Sequence, residues 1–236
     1  ALKNMLSKIN PANILFIDIE TVPQVWGFEN LPSVAKDLFD QKTHWKQNLH
    51  EKSVEEIYNE TAGVLAEFGK IVCISCGIIT PEAQFRVKSF YGEDERKILS
   101  DFCDLLHTHF SKNKSLLCAH NGKEFDFPFI ARRLIIHGIS LPRILQIQGK
   151  KPWEIQHLDT LELWKFGDYK HYTSVHLLAH VLNIPSPKDD ICGADVAQVY
   201  YQEKNINRIK RYCEKDVLAV AQIFRRFRNE ELLNLE

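Results

Sequence analysis

The sequence predicts an α/β fold: one mixed sheet with helices packed on its faces. Three observations predict it. Strand patterns cluster early, helical and short-strand patterns then alternate, and the chain closes on helices alone. The 236 residues are 44% hydrophobic and 26% charged, ordinary for a globular chain and long enough for one substantial core. A single domain over 1–236 is therefore expected, with 1–12 as an N-terminal tail and 24–68 as a helical insertion after the first strand.

Thirty basic residues stand against thirty-one acidic ones, a net charge of -1. That balance argues against a chain coated in positive field, so any nucleic-acid contact must be local. There is no apolar run of membrane-spanning length and no charged-then-apolar leader, so a cytoplasmic protein with no membrane partner is expected.

The first strand is Asn13-Ile-Leu-Phe-Ile-Asp-Ile-Glu-Thr21. Its unbroken run Ile14 to Ile17 is rich in β-formers, so both faces are covered, as in a central strand. Side chains two apart share a face, so Asp18 and Glu20 stand side by side. Two carboxylates held this way repel each other and lose hydration, and a divalent cation is the usual remedy. A strand simply emerging into solvent at Asp18 is the alternative.

Val22-Pro23 ends the strand, and a segment with helical patches and two Trp follows to about Phe68. Strand patterns return at 70–79 and 84–91, close enough for a hairpin, and with the first strand they form a three-stranded meander. Residues 93–110 carry Ile98, Phe102, Leu105, Leu106 and His109 at helical spacing behind acidic Glu93, Asp94 and Glu95, which suit a helix start. Ser115–Ala119 reads as a short buried strand and His120-Asn121-Gly122 as a turn. Residues 127–137 then form a helix with Phe129, Ile130, Leu134 and Ile135 on one side. A strand near 154–159, helices near 173–183 and 193–203, and a long helix from about 205 complete the chain.

Two spacings suggest metal sites and are set aside. Cys73 and Cys76 form a C-x-x-C inside a strand, which places them on opposite faces, so the six scattered cysteines are read as reduced and structural. His176 and His180 are spaced i, i+4, but no further ligand falls at zincin spacing, so a surface or packing role is expected.

Further carboxylates lie where they could meet Asp18 and Glu20. Asn121-Gly-Lys-Glu-Phe-Asp126 sits at a strand-to-helix junction, and Asp126 serves either as a ligand or as the cap of the helix whose first turn contains Pro128. In Arg211-Tyr-Cys-Glu-Lys-Asp216, Tyr212 and Asp216 share a helix face beside the stripe Ile209, Cys213, Val217, Val220, Phe224 and Phe227. A salt bridge or water would also satisfy Asp216 there.

Together these pieces resemble the DEDD superfamily of 3′-to-5′ exonucleases in its Tyr branch. The D-x-E motif matches Asp18 and Glu20, N-x-x-x-F-D matches Asn121 to Asp126, and Y-x-x-x-D matches Tyr212 and Asp216. Glu67-Phe-Gly-Lys-Ile-Val-Cys-Ile-Ser, Ile184-Pro-Ser-Pro-Lys-Asp-Asp and Gly193-Ala-Asp-Val look like the stand-alone predicted exonucleases related to the family B DNA polymerase proofreading domain. The resemblance covers 13 to about 228 and implies a ribonuclease-H-like sheet. It further implies a two-metal 3′-to-5′ exonuclease that releases nucleoside 5′-monophosphates from a single-stranded 3′ end, DNA in preference to RNA. A replication or repair partner would be unidentified. An exoribonuclease and a catalytically silent binding module are the rivals.

Phosphodiester hydrolysis needs an activated water, an in-line leaving oxygen and charge neutralisation, which two cations ~4 Å apart supply. An all-oxygen set suits Mg²⁺ or Mn²⁺. By the resemblance, Asp18 bridges both ions, Glu20 and Asp216 complete the site that holds the water, and Asp126 holds the second ion largely through water. Tyr212 orients the nucleophile. A phenol with an ordinary pKa near ~10 is a poor base at neutral pH, so alignment is its role. Thr21, Val22, Asn121 and Phe125 are the expected substrate contacts. Asp159 is expected to cap a helix or support the site. Lys188 and the Arg225, Arg226, Arg228 cluster could meet phosphates, although basic residues at a helix C-terminus also complement its dipole.

Overall fold

Strand β1 (Ile14–Pro23) lies at the centre of a five-stranded sheet, as its doubly apolar run requires. The computed structural model describes residues 5–168, 170–185 and 191–233. The other strands are β2 (Gly69–Ile79), β3 (Phe85–Tyr91), β4 (Leu116–Ala119) and β5 (Leu158–Asp159), in the order β3-β2-β1-β4-β5. The first three form the antiparallel meander, and β4 and β5 add in parallel. The register slips between Glu20 and Thr21, a local irregularity that re-aims side chains just beyond the two carboxylates.

The helices are α1 (Ser33–His50), α2 (Val54–Thr61), α3 (Glu95–His109), α4 (Asp126–Ile136), α5 (Thr160–Lys165), α6 (Val175–Val181) and α7 (Ile206–Phe227). Leu15, Ile17 and Ile19 point to one face and pack with Ile98, Phe102, Phe127 and Ile130 of α3 and α4. Ile14 and Phe16 point to the other and meet Val217, Val220 and Phe224 of α7. The two faces bury most of the apolar surface that holds the sheet in place. Residues 24–68 carry their own cluster, in which Phe28 and Phe39 each meet Tyr58 edge to face with Ile57 buried among them, and the Tyr58 hydroxyl donates to the Val25 carbonyl.

Several elements differ from their sequence patterns. The strand expected at 154–159 contracts to β5: Pro152–Glu154 turns as a 3-10 helix, and His157 is drawn sideways, accepting the Leu117 amide and bonding the Ile144 carbonyl. The helix expected at 193–203 breaks into a 3-10 turn, a single α turn and a π turn over Val199–Glu203. The helix expected at 173–183 shortens to α6, capped by Ser174. On α4 the inward position belongs to Arg133, not Ile135, which is exposed. Arg133 grips Glu95 through Nε at 2.9 Å and Nη2 at 2.6 Å and donates to the Ala66 carbonyl, so its burial is compensated by a partner on another helix. Residues 5–13 are more than a tail, because Leu6 is fully buried against α7 and its carbonyl accepts from Arg228.

The C-terminal arginines are tied to backbone. Arg225 bonds Glu231, Arg226 bonds Leu182 and Asn183, and Arg228 bonds Leu6 and Ile9, which favours the helix-end reading over phosphate contact. Lys188 lies outside the described residues.

Cys73 and Cys76 do fall on opposite faces, and all six thiols are free. Burial pushes Cys76 up to about 12 and Cys103 to about 11, and lifts Cys118 and Cys213 well above the usual range. Only Cys192 is exposed. An Ellman titration of the native protein should therefore show one fast thiol, with the remainder reacting only in denaturant; stoichiometric zinc lost on mutating Cys73 and Cys76 together would refute the structural reading.

Candidate active site

Asp18 and Glu20 project from β1 toward α7, on the face where Phe16 meets Phe224 with ring centroids 5.5 Å apart. The helix approaches so closely that the Cys213 thiol donates to the Asp18 carbonyl at 3.4 Å and its Oδ2 at 3.3 Å. One polar atom from each of Asp18, Glu20 and Cys213 lies within 4.8 Å of the others. Glu20 and Asp216 are buried, whereas Asp18 retains a partial opening to solvent. That opening is the mouth of the site.

Asp126 arrives from the opposite side. β4 ends at Ala119, and the chain turns through Asn121, whose φ of 61° lies in the left-handed region that Asn tolerates. A Cβ on Gly122 would meet the Ala119 Cβ at 2.4 Å, so the turn requires glycine. Asp159 fixes this loop by accepting the amides of Asn121 and Lys123 while also capping α5 through the amides of Leu161 and Glu162. The expectation of a capping and supporting role for Asp159 thus holds. Asp126 is the first residue of α4, not its cap, which is Phe125. Its Oδ1 is buried with no hydrogen-bond partner, a costly arrangement unless something else satisfies it.

The electrostatics agree with the geometry. Burial raises Asp18 well above the usual carboxylate range, and Glu20, Asp216 and Asp126 add repulsion. Glu20 is raised by burial and then chiefly by Asp216. Asp126 is pushed up to about 8, first by burial and then by Asp159 and Asp216, against the pull of its own amide and that of Ile19. An enclosed group of carboxylates with an orphaned oxygen fits hard divalent cations. The Cys213 thiol is held protonated by burial, then by Cys73 beside it and by Asp18 and Glu20, which makes it a donor to Asp18 rather than a soft ligand.

Tyr212 hydrogen-bonds Asp216, and burial followed by the Asp216, Glu20 and Asp18 charges lifts its hydroxyl far above the ordinary phenol range. It is a fixed proton donor, not a base. His176, set aside in the sequence, also faces the site: its Nε2 lies 3.7 Å from Asp216 Oδ1, and its ring centroid is 6.2 Å from that of Tyr212. His176 is itself 43% exposed, and His180, one turn on, is exposed too. Nothing in the i, i+4 spacing separates the two; only the packing of α6 on α7 does.

The expected substrate contacts divide. Thr21, Asn121 and Phe125 are half-buried near the carboxylates, with Phe125 packed on Phe129 at 5.4 Å. Val22 is fully buried with Val72, Tyr212 and Cys213, so its side chain has no face toward the opening and only its backbone is available.

Among known proteins, the family described as "Predicted 3'-5' exonuclease related to the exonuclease domain of PolB" matches residues 64–232. A DNA polymerase of Pyrococcus glycovorans is 22% identical over 146 residues, covering 56% of this chain and 18% of the polymerase. A DNA polymerase of Desulfurococcus sp. (strain Tok) is 20% identical over 146 residues with the same coverage. The chain therefore spans less than a fifth of these curated relatives. The family B DNA polymerase of the archaeon Pyrobaculum calidifontis superposes with a TM-score of 0.53 at 15% identity, over 88% of this chain and 23% of that one, a likeness of fold.

Proposed function

This chain belongs to the family of predicted 3′-5′ exonucleases related to the exonuclease domain of PolB, and on that premise we propose that it hydrolyses terminal phosphodiesters of DNA, releasing nucleoside 5′-monophosphates from the 3′ end. The observation that carries the proposal is the convergence of Asp18 and Glu20 from β1, Asp126 from α4 and Asp216 with Tyr212 from α7 on one partly open acidic site. When bound, two divalent cations, Mg²⁺ or Mn²⁺, would activate a water and neutralise charge on the phosphate.

Asp18, Glu20, Asp126 and Asp216 would hold the cations. The like charges that destabilise the cluster by itself give it affinity for them. Tyr212 remains protonated and is fixed to Asp216, so its hydroxyl can position a water but not deprotonate one. Thr21, Asn121, Phe125 and the Val22 backbone would receive the terminal nucleotide. That the curated relatives are DNA polymerases supports a DNA substrate.

End-labelled single-stranded DNA, duplex DNA with a mismatched 3′ end, and RNA, each with Mg²⁺, Mn²⁺ or EDTA, would test the proposal. Stepwise shortening of DNA from the 3′ end that EDTA abolishes is expected; preferential shortening of RNA would replace DNA by RNA in the reading, and no cleavage under any condition would overturn it.

Tyr212→Phe separates alignment from packing. The ring stays in its pocket and one hydrogen bond is lost, so stability should change by no more than about 1 kcal/mol. Turnover should fall about 10- to 1000-fold with near-normal Tm and metal affinity. Wild-type turnover would reduce Tyr212 to a packing role.

A further inference from the structure

Beside the acidic site lies a cavity of about 450 Å³ that shares Asn121 with the proposed nucleotide contacts and extends away from the carboxylates. Asn121, Asp159 and Leu161 line it together with Lys123 and Lys165 and the acidic Glu124 and Glu162, Lys123 being paired to Glu162 at 2.5 Å, and Trp153 forms part of its wall. It is thus continuous with the loop that carries Asp126. Trp153 is 72% exposed, with the Lys151 ammonium 5.2 Å from its ring centroid. Phe166, directly after Lys165, ends α5 in the left-handed conformation with a φ of 46° and is 75% exposed. Tyr172 is 66% exposed and stands edge-on to His120 at 6.2 Å, while His120 bonds the Thr173 carbonyl at 2.8 Å and so keeps this segment beside Asn121.

Singly exposed aromatics are ordinary. Here, however, of the four described aromatic side chains exposed by 60% or more, Trp45, Trp153, Phe166 and Tyr172, three belong to this region: Trp153 lines the cavity, Phe166 directly follows its Lys165, and Tyr172 stands on His120 beside Asn121. Flat, wet, sequence-indifferent rings, one of them with the Lys151 ammonium beside it, are what a single strand needs, because every base offers a π-face. The geometry points to a stacking track for the single strand upstream of its 3′ end, built on Trp153 and Phe166 and leading past Tyr172 into the acidic site. The inference rests on the nuclease reading. It adds that grip on the strand is aromatic, which suits a chain with a net charge of -1.

The test is fluorescence anisotropy of labelled oligo(dT) of three and twelve nucleotides, in EDTA so that no cleavage occurs, with Trp153→Ala, Phe166→Ala and the double variant. Stacking lost at one base weakens binding about 5- to 150-fold. The twelve-mer Kd should rise by that much for each single variant and further for the double, the length dependence should collapse, and Trp153→Phe should recover most of the loss. Both side chains are exposed, so an unchanged Tm verifies the fold. Wild-type affinity of the double variant for the twelve-mer would overturn the track and leave the exonuclease reading intact. Failure of the wild type to bind or cleave any single strand would overturn both.

Discussion

Asp18→Ala is expected to abolish cleavage while leaving the fold intact. Asp18 is placed against Glu20, Asp216 and Asp126 at once, and all three raise its pKa. Removing it should lower turnover by more than about 10³-fold, beyond the loss of a single positioning hydrogen bond. The same change relieves three repulsions and a desolvated charge, and Cys213 keeps the Asp18 carbonyl as an acceptor. Thermal stability in EDTA should therefore be unchanged or higher. Stabilisation by added Mn²⁺, which follows the affinity of the folded state, should shrink or vanish. Full activity of the variant on the best wild-type substrate would sink the assignment.

What was legible in the chain depended on whether a residue's role is set by its own element. The run Ile14 to Ile17 and the spacing of Asp18 and Glu20 are properties of one strand, and their period survives in the sequence. Tyr212 and Asp216 are likewise placed by one helix. Cys213 looked like one more member of the apolar stripe, yet its thiol reaches the Asp18 carboxylate on β1, a contact no periodicity encodes. His176 and Arg133 are hidden for the same reason: each has its partner on another helix. β5 is shorter than its apolar pattern because only Leu158 and Asp159 pair with β4, while Ile155 is buried in the turn before it and His157 is drawn toward Leu117 and Ile144. Val22 follows the motif, but its burial against α7 removes its side chain from the opening.

The second large expected effect is a stability that falls as pH rises in the absence of metal, and Asp126→Asn isolates it. The folded carboxyl is held up to about 8, chiefly by burial and then by Asp159 and Asp216, against an ordinary value near ~3.9 in the unfolded chain. Between these two values the folded state keeps a proton that the unfolded state has released. Stability must then decrease with pH across that window and level off above the folded value. Asp18 and Glu20, also raised, act in the same sense, and replacing one member of the group relieves the others. Glu95, held low by Arg133 against its own burial, acts in the opposite sense but is common to both proteins and cancels in their difference. An isosteric amide has no proton to lose. In EDTA, Asp126→Asn and wild type should melt closest to each other near pH 4, the lower edge of that window, and part as pH rises. By pH 8 the variant should be the more stable by about 1–4 kcal/mol, which for a chain of this size is several degrees. Millimolar Mg²⁺ or Mn²⁺ should reverse the order, because the wild type then gains the binding free energy that its orphaned Oδ1 is placed to collect. A difference between the two proteins that stays constant from pH 5 to 8 in EDTA would mean that Asp126 is ionised at little cost in the folded protein, and the argument that strain in this acidic group drives cation binding would fail with it.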